Sequence, residues 1–349
     1  MFRVRWIVVA AVLAAGCGGS STPTNPGGSR NSGGVPPGGP PPNPGSHIVT
    51  GTTVNALDDA VAGVVSFTVG GTLVGRSETN GGFSVGFPSS GANRTTLTAT
   101  GFIERQTTIA APGANLSLSL IPSAFDVAAF DQMFRHSSSG LTRWKTAPGI
   151  VIERRVLRFT EVGAQTFEAL EESLNQAEVD AIAADLLAGY DLLTAGRLGP
   201  VTSLTTQESA PGSSVTPRQN ARIVVTRQDG LTRATGFWGY ARWSTTADGE
   251  VTSGVIMLDR DFEKAPSAFH RSLRMHELGH TLGCQHVSIE RASVMNSNAR
   301  TEPNTFDQQA ARIAMSRPTG NRTPDIDPVS HTATSAARTT HALIWHGAH

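Results

Sequence analysis

Apolar residues fall along this chain in two different rhythms, bounded by stretches that have neither. Over residues 47–121, short runs rich in Val, Ile, Leu and Thr are separated by Gly and Asn turns, with no helical repeat between them. The candidate strands are 48–54, 61–69, 72–77, 82–87, 95–100 and 115–120. Short strands at this spacing predict a small antiparallel β-sandwich. Glu78-Thr79-Asn80-Gly81-Gly82-Phe83 supplies the tight turn of one hairpin.

From residue 122 the rhythm becomes mixed. Phe125, Ala128, Ala129 and Met133 fall at helical spacing and predict a short leading helix, followed by a strand over 150–159. The strongest helix runs from Gln176 to about Leu193. Asn175 with Glu178 three residues on is a capping signal, and Val179, Ile182, Ala183, Leu186, Leu187, Tyr190 and Leu193 form one apolar stripe. A Gly/Pro/Ser/Thr-rich loop over 196–217 precedes strand candidates 221–227, 234–243 and 254–259. A helix then opens near Pro266-Ser267, and a closing helix over 305–315 carries Phe306, Ala310, Ile313 and Ala314. After Arg317-Pro318 periodicity is lost, so 321–349 reads as a disordered tail with solvated histidines His331, His341, His346 and His349, a second metal site being the alternative. His136 and His270 have no partner motif and read as structural. The fold class is therefore multidomain: an all-β sandwich over 47–121, then an α+β domain over 122–320. The sandwich is expected to be separable from whatever chemistry lies after residue 121.

Composition narrows the function. The 349 residues carry a formal net charge of zero, and no basic run mixed with aromatics supports nucleic-acid binding. Residues 1–17 open with Arg3 and Arg5, continue through an apolar run over 6–15 and end at Gly16-Cys17, as a bacterial signal peptide does. The apolar run is too short for a permanent membrane helix. Leu13-Ala14-Ala15-Gly16-Cys17 resembles a lipoprotein processing site, which implies that Cys17 is acylated and anchors the mature chain to a membrane; a plain secretory peptide is the alternative. Residues 18–46, dominated by Gly, Pro, Ser and Asn, read as a flexible tether. With Cys17 acylated, Cys284 is the one thiol left and no intramolecular disulfide can form. Cys284 is a small buried apolar residue or a redox-sensitive neighbour of the metal site discussed next.

The chemistry sits at His276-Glu277-Leu278-Gly279-His280-Thr281-Leu282-Gly283-Cys284-Gln285-His286. In a helix, residues four apart return to nearly the same face, so His276 and His280 can take two corners of a tetrahedral Zn2+ site. Glu277, one step round, is placed to act as a base. Gly283 can adopt the left-handed conformation that ends the helix and returns His286 to the third corner. A purely structural zinc site has no use for the glutamate.

These residues, with Met295 in Ser293-Val294-Met295-Asn296, resemble the metzincin zinc endopeptidases, and among them the matrixin-like bacterial members. The resemblance covers about residues 122–320. It implies that His276, His280 and His286 bind zinc, that Glu277 is catalytic, and that Met295 sits in a turn beneath the metal. It also implies that the last strand before the zinc helix, Gly254-Val255-Ile256-Met257-Leu258, lines the cleft and pairs with an extended substrate. Val287 fits no subfamily signature, and Ser297 stands two residues after Met295, where some metzincins carry a tyrosine that assists the reaction. Residues 47–121 resemble a carboxypeptidase regulatory-like, transthyretin-type sandwich through Val49-Thr50-Gly51, Val61-Ala62-Gly63-Val64 and Asn80-Gly81-Gly82-Phe83-Ser84-Val85. The expectation is a zinc-dependent endopeptidase acting on proteins or peptides at the bacterial cell envelope or outside the cell. The alternative is a zinc-containing binding or adhesion module that has lost activity and works through its sandwich.

Overall fold

Strand β1 (His47–Asn55) sits at the centre of a three-stranded sheet because its two neighbours come from distant parts of the first segment: β4 (Gly82–Phe87) pairs with it antiparallel and β7 (Gly113–Leu120) parallel. The facing sheet has the order β3-β2-β5-β6, from β2 (Ser66–Val69), β3 (Thr72–Arg76), β5 (Gly91–Thr98) and β6 (Arg105–Ala111), all antiparallel. Phe67, Phe83, Val85, Phe87, Leu97 and Ile109 fill the space between the sheets. This computed structural model describes residues 47–136, 140–329 and 339–344. The signal peptide, the tether, Cys17, His331, His346 and His349 lie outside the described residues.

Three expectations for this segment are corrected, the first being the strand candidate 61–69, which forms only over Ser66–Val69. The sandwich is not wholly antiparallel, since β1 and β7 run parallel. The turn at Asn80-Gly81 forms, with Gly82 N–H donating to Asn80 Oδ1 at 2.8 Å and Gly81 at φ 82°, but it carries the chain from β3 in one sheet to β4 in the other. Turn chemistry reverses a chain without choosing which neighbour completes its hydrogen bonds.

The second segment is built on one mixed sheet with helices against it. In chain order come α1 (Val127–Phe134), the two-residue pair β8 (Arg135–His136) and β9 (Gly140–Leu141), β10 (Gly149–Arg158), β11 (Phe167–Ser173), α2 (Gln176–Thr194), β12 (Ser203–Gln207), β13 (Ser214–Val215) and β14 (Arg222–Asp229). There follow α3 (Leu231–Thr235), β15 (Gly239–Thr245), β16 (Val251–Asp259), α4 (Arg260–Lys264), α5 (His270–Thr281), α6 (Thr305–Met315) and β17 (Thr339–Ile344). The sheet order is β13-β11-β10-β14-β16-β15-β17, with β12 beside β10. β10, β14 and β16 are parallel; β15 and β17 add antiparallel at one end.

α2 forms where its cap and stripe predict. Asn175 Oδ1 accepts from Glu178 N–H at 3.0 Å, and Glu178 Oε2 accepts from Asn175 N–H at 2.8 Å. Of its expected stripe, Val179, Ile182, Leu186, Tyr190 and Leu193 enter one core with Leu273, Met275 and Leu278 of α5 and Ala183 packs against it, whereas Leu187 is exposed. Gly189 allows the close approach, since a Cβ there would lie 2.9 Å from Met275 Cγ. Arg274 of α5 reinforces it by donating to Asp185 of α2 at 2.7 Å and to Glu263 of α4.

The loop expected over 196–217 holds two strands, β12 and β13, paired with β10 and β11; three further expectations fail for nameable reasons. The strand candidate 234–243 begins only at Gly239, because Gly230 and Gly236, both at positive φ, bracket the short helix α3. The strand Gly254–Leu258 does not line an open edge: β16 is interior, with β14 on one side and β15 on the other. The segment from 321 onward is not a disordered tail where it is described. Asn321, Asp325 and Asp327 are buried, and β17 pairs with β15 over six residues, Thr339 to Ile344.

That last segment also joins the two parts of the chain. Gln106 of β6 donates to Asp325 O at 3.0 Å, and Asp327 donates back to Gln106 O at 2.8 Å. Arg317, fully buried at the end of α6, grips Asp325 through Nε and Nη2, each at 2.7 Å, and reaches Ser119 Oγ on β7 at 2.6 Å. Arg105 of β6 donates to Asp327 Oδ2 at 2.8 Å. Ala56 and Ile121 belong to the core of the second segment. The described residues accordingly fall within one compact unit, Pro41–His349, to which both segments contribute.

Candidate metal centre

α5 has no side chain capping its N-terminus, and it carries Gly279 in its interior, a residue that costs about 1 kcal/mol relative to Ala in a helix. The helix is therefore held by its surroundings. Every residue from Ser272 to Thr281 is buried. Trp144 Nε1 donates to Thr281 O at 2.8 Å, and Trp243 of β15 stacks parallel to the His280 ring with centroids 6.1 Å apart.

The helix stops as the spacing predicts. Gly283 stands at φ 104°, and a Cβ there would also lie 2.7 Å from Thr142 O, so two independent constraints require glycine. Thr142 Oγ1 donates to Gly283 O at 3.0 Å, Cys284 N–H to Gly279 O at 2.9 Å and Gln285 N–H to Met133 O at 2.7 Å. The chain is thus delivered to His286 from fixed points.

The three histidines converge. Nε2 of His280 is 3.0 Å from that of His276 and 3.2 Å from that of His286, and the His286–His276 separation is 3.3 Å. Nδ1 of His276 lies 2.8 Å from Val294 O, and Nδ1 of His280 lies 2.9 Å from Cys284 O. A carbonyl oxygen only accepts, so both Nδ1 atoms carry the proton and both Nε2 atoms present a lone pair to the shared centre. Two lone pairs cannot bond each other at 3.0 Å; the arrangement asks for a cation between them. A tetrahedron with bonds of about 2.0–2.1 Å has edges of about 3.3 Å, close to the spacing found. The residues present therefore fit a metal ion.

Burial favours the neutral form of the two helical histidines. The His276 imidazole is pulled down to about 3, first by burial and then by His286, against the opposing bond to Val294. Burial also holds His280 well below the usual imidazole range, with His276 and His286 adding to the effect.

Glu277 is fully buried, and neither carboxylate oxygen has a hydrogen-bond partner among the described residues. Burial pushes its carboxyl well above the usual carboxylate range. The side chain lies on Gly239, where a Cβ would come 2.5 Å from Oε1. The sequence reading missed Gly239, although a glycine inside a strand is a signal of close approach.

Met295 is placed beneath the helix. A Cβ on Gly279, the residue just before His280, would lie 2.3 Å from its sulfur. The turn around it is fixed by Asp307, a fully buried residue in the first turn of α6 that the sequence reading also missed. Asp307 accepts from Ser293 Oγ, from Val294 N–H at 3.1 Å and from Asn304 N–H at 2.9 Å. Val294 in turn offers the carbonyl that orients His276. Ser297, two residues after Met295, is exposed.

Cys284 contributes its carbonyl to His280, while its thiol is buried and pushed well above its ordinary range by that burial, with Asp307 adding to it. Its burial fits the first of the two readings, the small core residue. His270 bonds Phe262 O at 2.9 Å, a structural role; the side chains of His136 and His341 lie outside the described residues. Cavities of about 460 and 830 Å3 occur elsewhere on the fold, and no histidine of the triad lines either. No family model and no curated protein matches this chain in sequence.

Proposed function

We propose that the chain is a zinc-dependent endopeptidase of the metzincin type, preceded by a transthyretin-type sandwich. The observation that carries this is the convergence of three imidazole nitrogens within 3.3 Å, two of them with lone pairs locked inward and carried by a helix that also buries a partnerless carboxylate. His276, His280 and His286 would hold the ion, and three protein ligands with an open position is the arrangement of catalytic zinc. Bound there, zinc supplies Lewis acidity that polarises a carbonyl and makes water more acidic.

The remaining chemistry belongs to the protein. Glu277 takes the proton of the attacking water and passes it to the leaving amine nitrogen as the C–N bond breaks, so one carboxylate acts first as base and then as acid. Its burial raises its proton affinity above that of an ordinary carboxylate, the direction a proton-accepting base needs. Gly239 leaves room for the carboxylate, and Met295 with Asp307 keeps the helix and His276 in place. A binding module has no need of an unpaired buried glutamate beside such a triad, and this favours an enzyme.

Proteins or peptides at the bacterial cell envelope or outside the cell are the proposed substrates, with the chain exported and anchored through lipid on Cys17. No helix among the described residues is long and apolar enough to cross a membrane. The test is elemental analysis and peptide cleavage on wild type, Glu277→Gln and His280→Ala. One zinc per chain in the first two, none in the third and cleavage by wild type alone are expected; retained cleavage by zinc-loaded Glu277→Gln removes the glutamate from the mechanism.

A further inference from the structure

β15 is the strand that touches the chemistry. Gly239 lies against Glu277 and Trp243 stacks on His280, while one edge of the strand is occupied by β16. Its other edge is where an extended polypeptide could add by main-chain hydrogen bonds alone. That edge is filled by the chain itself. β17 runs antiparallel along it, with Thr339 opposite Thr245 and Ile344 opposite Tyr240. The direction matters: the strand ends beside Tyr240, the neighbour of Gly239, and so at the end of β15 that abuts Glu277.

We propose that residues 339–344 form an autoinhibitory strand, seated where a substrate backbone must lie, so that the enzyme is held closed by its own C-terminal segment until that segment leaves. This rests on the hydrolase reading of the triad and Glu277. An extended peptide antiparallel to β15 would use the same row of backbone donors and acceptors as β17, and one row cannot serve two strands. Because the occupant is tethered, it competes as an intramolecular ligand at high effective concentration, and a peptide in solution meets a weakened apparent affinity until the tether is cut or the strand disrupted. Removal of the C-terminal segment by another protease is a route to release, since it needs no change elsewhere in the fold.

The experiment uses the full chain carrying Glu277→Gln, so that a probe is bound without being cut. A fluorescent peptide with the sequence Thr-Thr-His-Ala-Leu-Ile is titrated against that chain, against the same chain with Ala342→Pro and Leu343→Pro, and against one ending at residue 338. Successive strand residues direct their N–H groups to opposite sides, so the two prolines remove at least one bond to β15 whichever way the strand is turned. Zinc content and cooperative unfolding confirm that each protein is folded. The expected result is an affinity at least about tenfold higher in both altered chains than in the full one. Equal affinity in all three, or no binding to either altered chain, overturns the proposal. With Glu277 restored, the altered chains should cleave an unstructured peptide with kcat/KM raised about tenfold or more. Released binding without cleavage in any form would sink the hydrolase reading and keep β17 as the occupant. Equal cleavage together with equal binding would do the reverse.

Discussion

Gly239 and Glu277 compete for one volume: a methyl group on Gly239 would stand 2.5 Å from Glu277 Oε1 and 2.9 Å from its Cδ. The strand therefore keeps a glycine so that the carboxylate can rest where it does. Gly239→Ala should displace the carboxylate while leaving the histidines untouched. A misplacement of about 1 Å costs on the order of 10²-fold in rate. The check is kcat measured beside zinc content; a normal kcat at full occupancy would show that the carboxylate tolerates the shift.

Gly279 and Met295 form a second pair of the same kind, the hypothetical Cβ lying 2.3 Å from the sulfur. Gly279→Ala should destabilise the zinc-loaded protein by about 1–3 kcal/mol through overpacking, in spite of alanine's better helix propensity. Adding Met295→Ala should recover part of that loss. Urea unfolding of both single variants and the double measures the coupling, and strict additivity would mean that the two residues do not meet.

Asp325 should make stability depend on acid. Burial alone raises its carboxyl, but Arg317, Arg105 and Asn321 outweigh that and hold it below the usual carboxylate range. A depressed folded value means stability that is present above about pH 4, the ordinary carboxylate value, and is lost as pH falls through the folded one. Asp325→Asn should cost about 3–5 kcal/mol at pH 7, the scale for breaking a buried ion pair. The gap between wild type and variant should shrink progressively below pH 4. Unfolding at pH 7 and pH 3 tests this, and a gap that stays constant between them removes the linkage.

A chain cut to residues 122–320 should not fold cooperatively. It would leave Arg317, which is 1% exposed, without Asp325 and Ser119, and would strip Ala56 and Ile121 from the core. An unpaired buried guanidinium is among the costlier defects available to a fold. Calorimetry or limited proteolysis of the piece is the measurement, and a sharp transition with bound zinc would restore the sandwich to the status of an independent domain.

Cys17→Ser should release the protein from membranes or leave it unprocessed. Stable anchoring takes more than one acyl chain, so mass spectrometry of the mature N-terminus should find a multiply acylated cysteine. A wild-type protein found soluble and cleaved away from Gly16-Cys17 would point to plain secretion.

Local rules were enough for the parts of this protein that local chemistry controls. The cap of α2 at Asn175 and Glu178, the span of α6, the helical pairing of His276 with His280 and the stop at Gly283 all depend on residues within a few positions of one another. Those are the distances over which backbone geometry dictates the outcome. Strand β6 escaped detection because Arg105 and Thr107 occupy buried positions, so its alternation does not look apolar. The burial of Arg105 follows from its partner Asp327, more than 200 residues away.

What the tertiary structure decided was adjacency. Strand order cannot be read from strand sequence, since each β-strand leaves two edges open and the hydrogen bonds that fill them are indifferent to side chains. This is why β16 proved interior, why β15 became the strand against Glu277 and His280, and why a segment without periodicity became β17. The same holds for the centre itself. The sequence specified three imidazoles and a carboxylate; the fold supplied the Val294 and Cys284 carbonyls that turn two rings inward, the glycine that leaves Glu277 its space, and the burial that favours the neutral form of the two helical histidines. Each of these is a contact between distant residues, and only closure of the chain in three dimensions creates it.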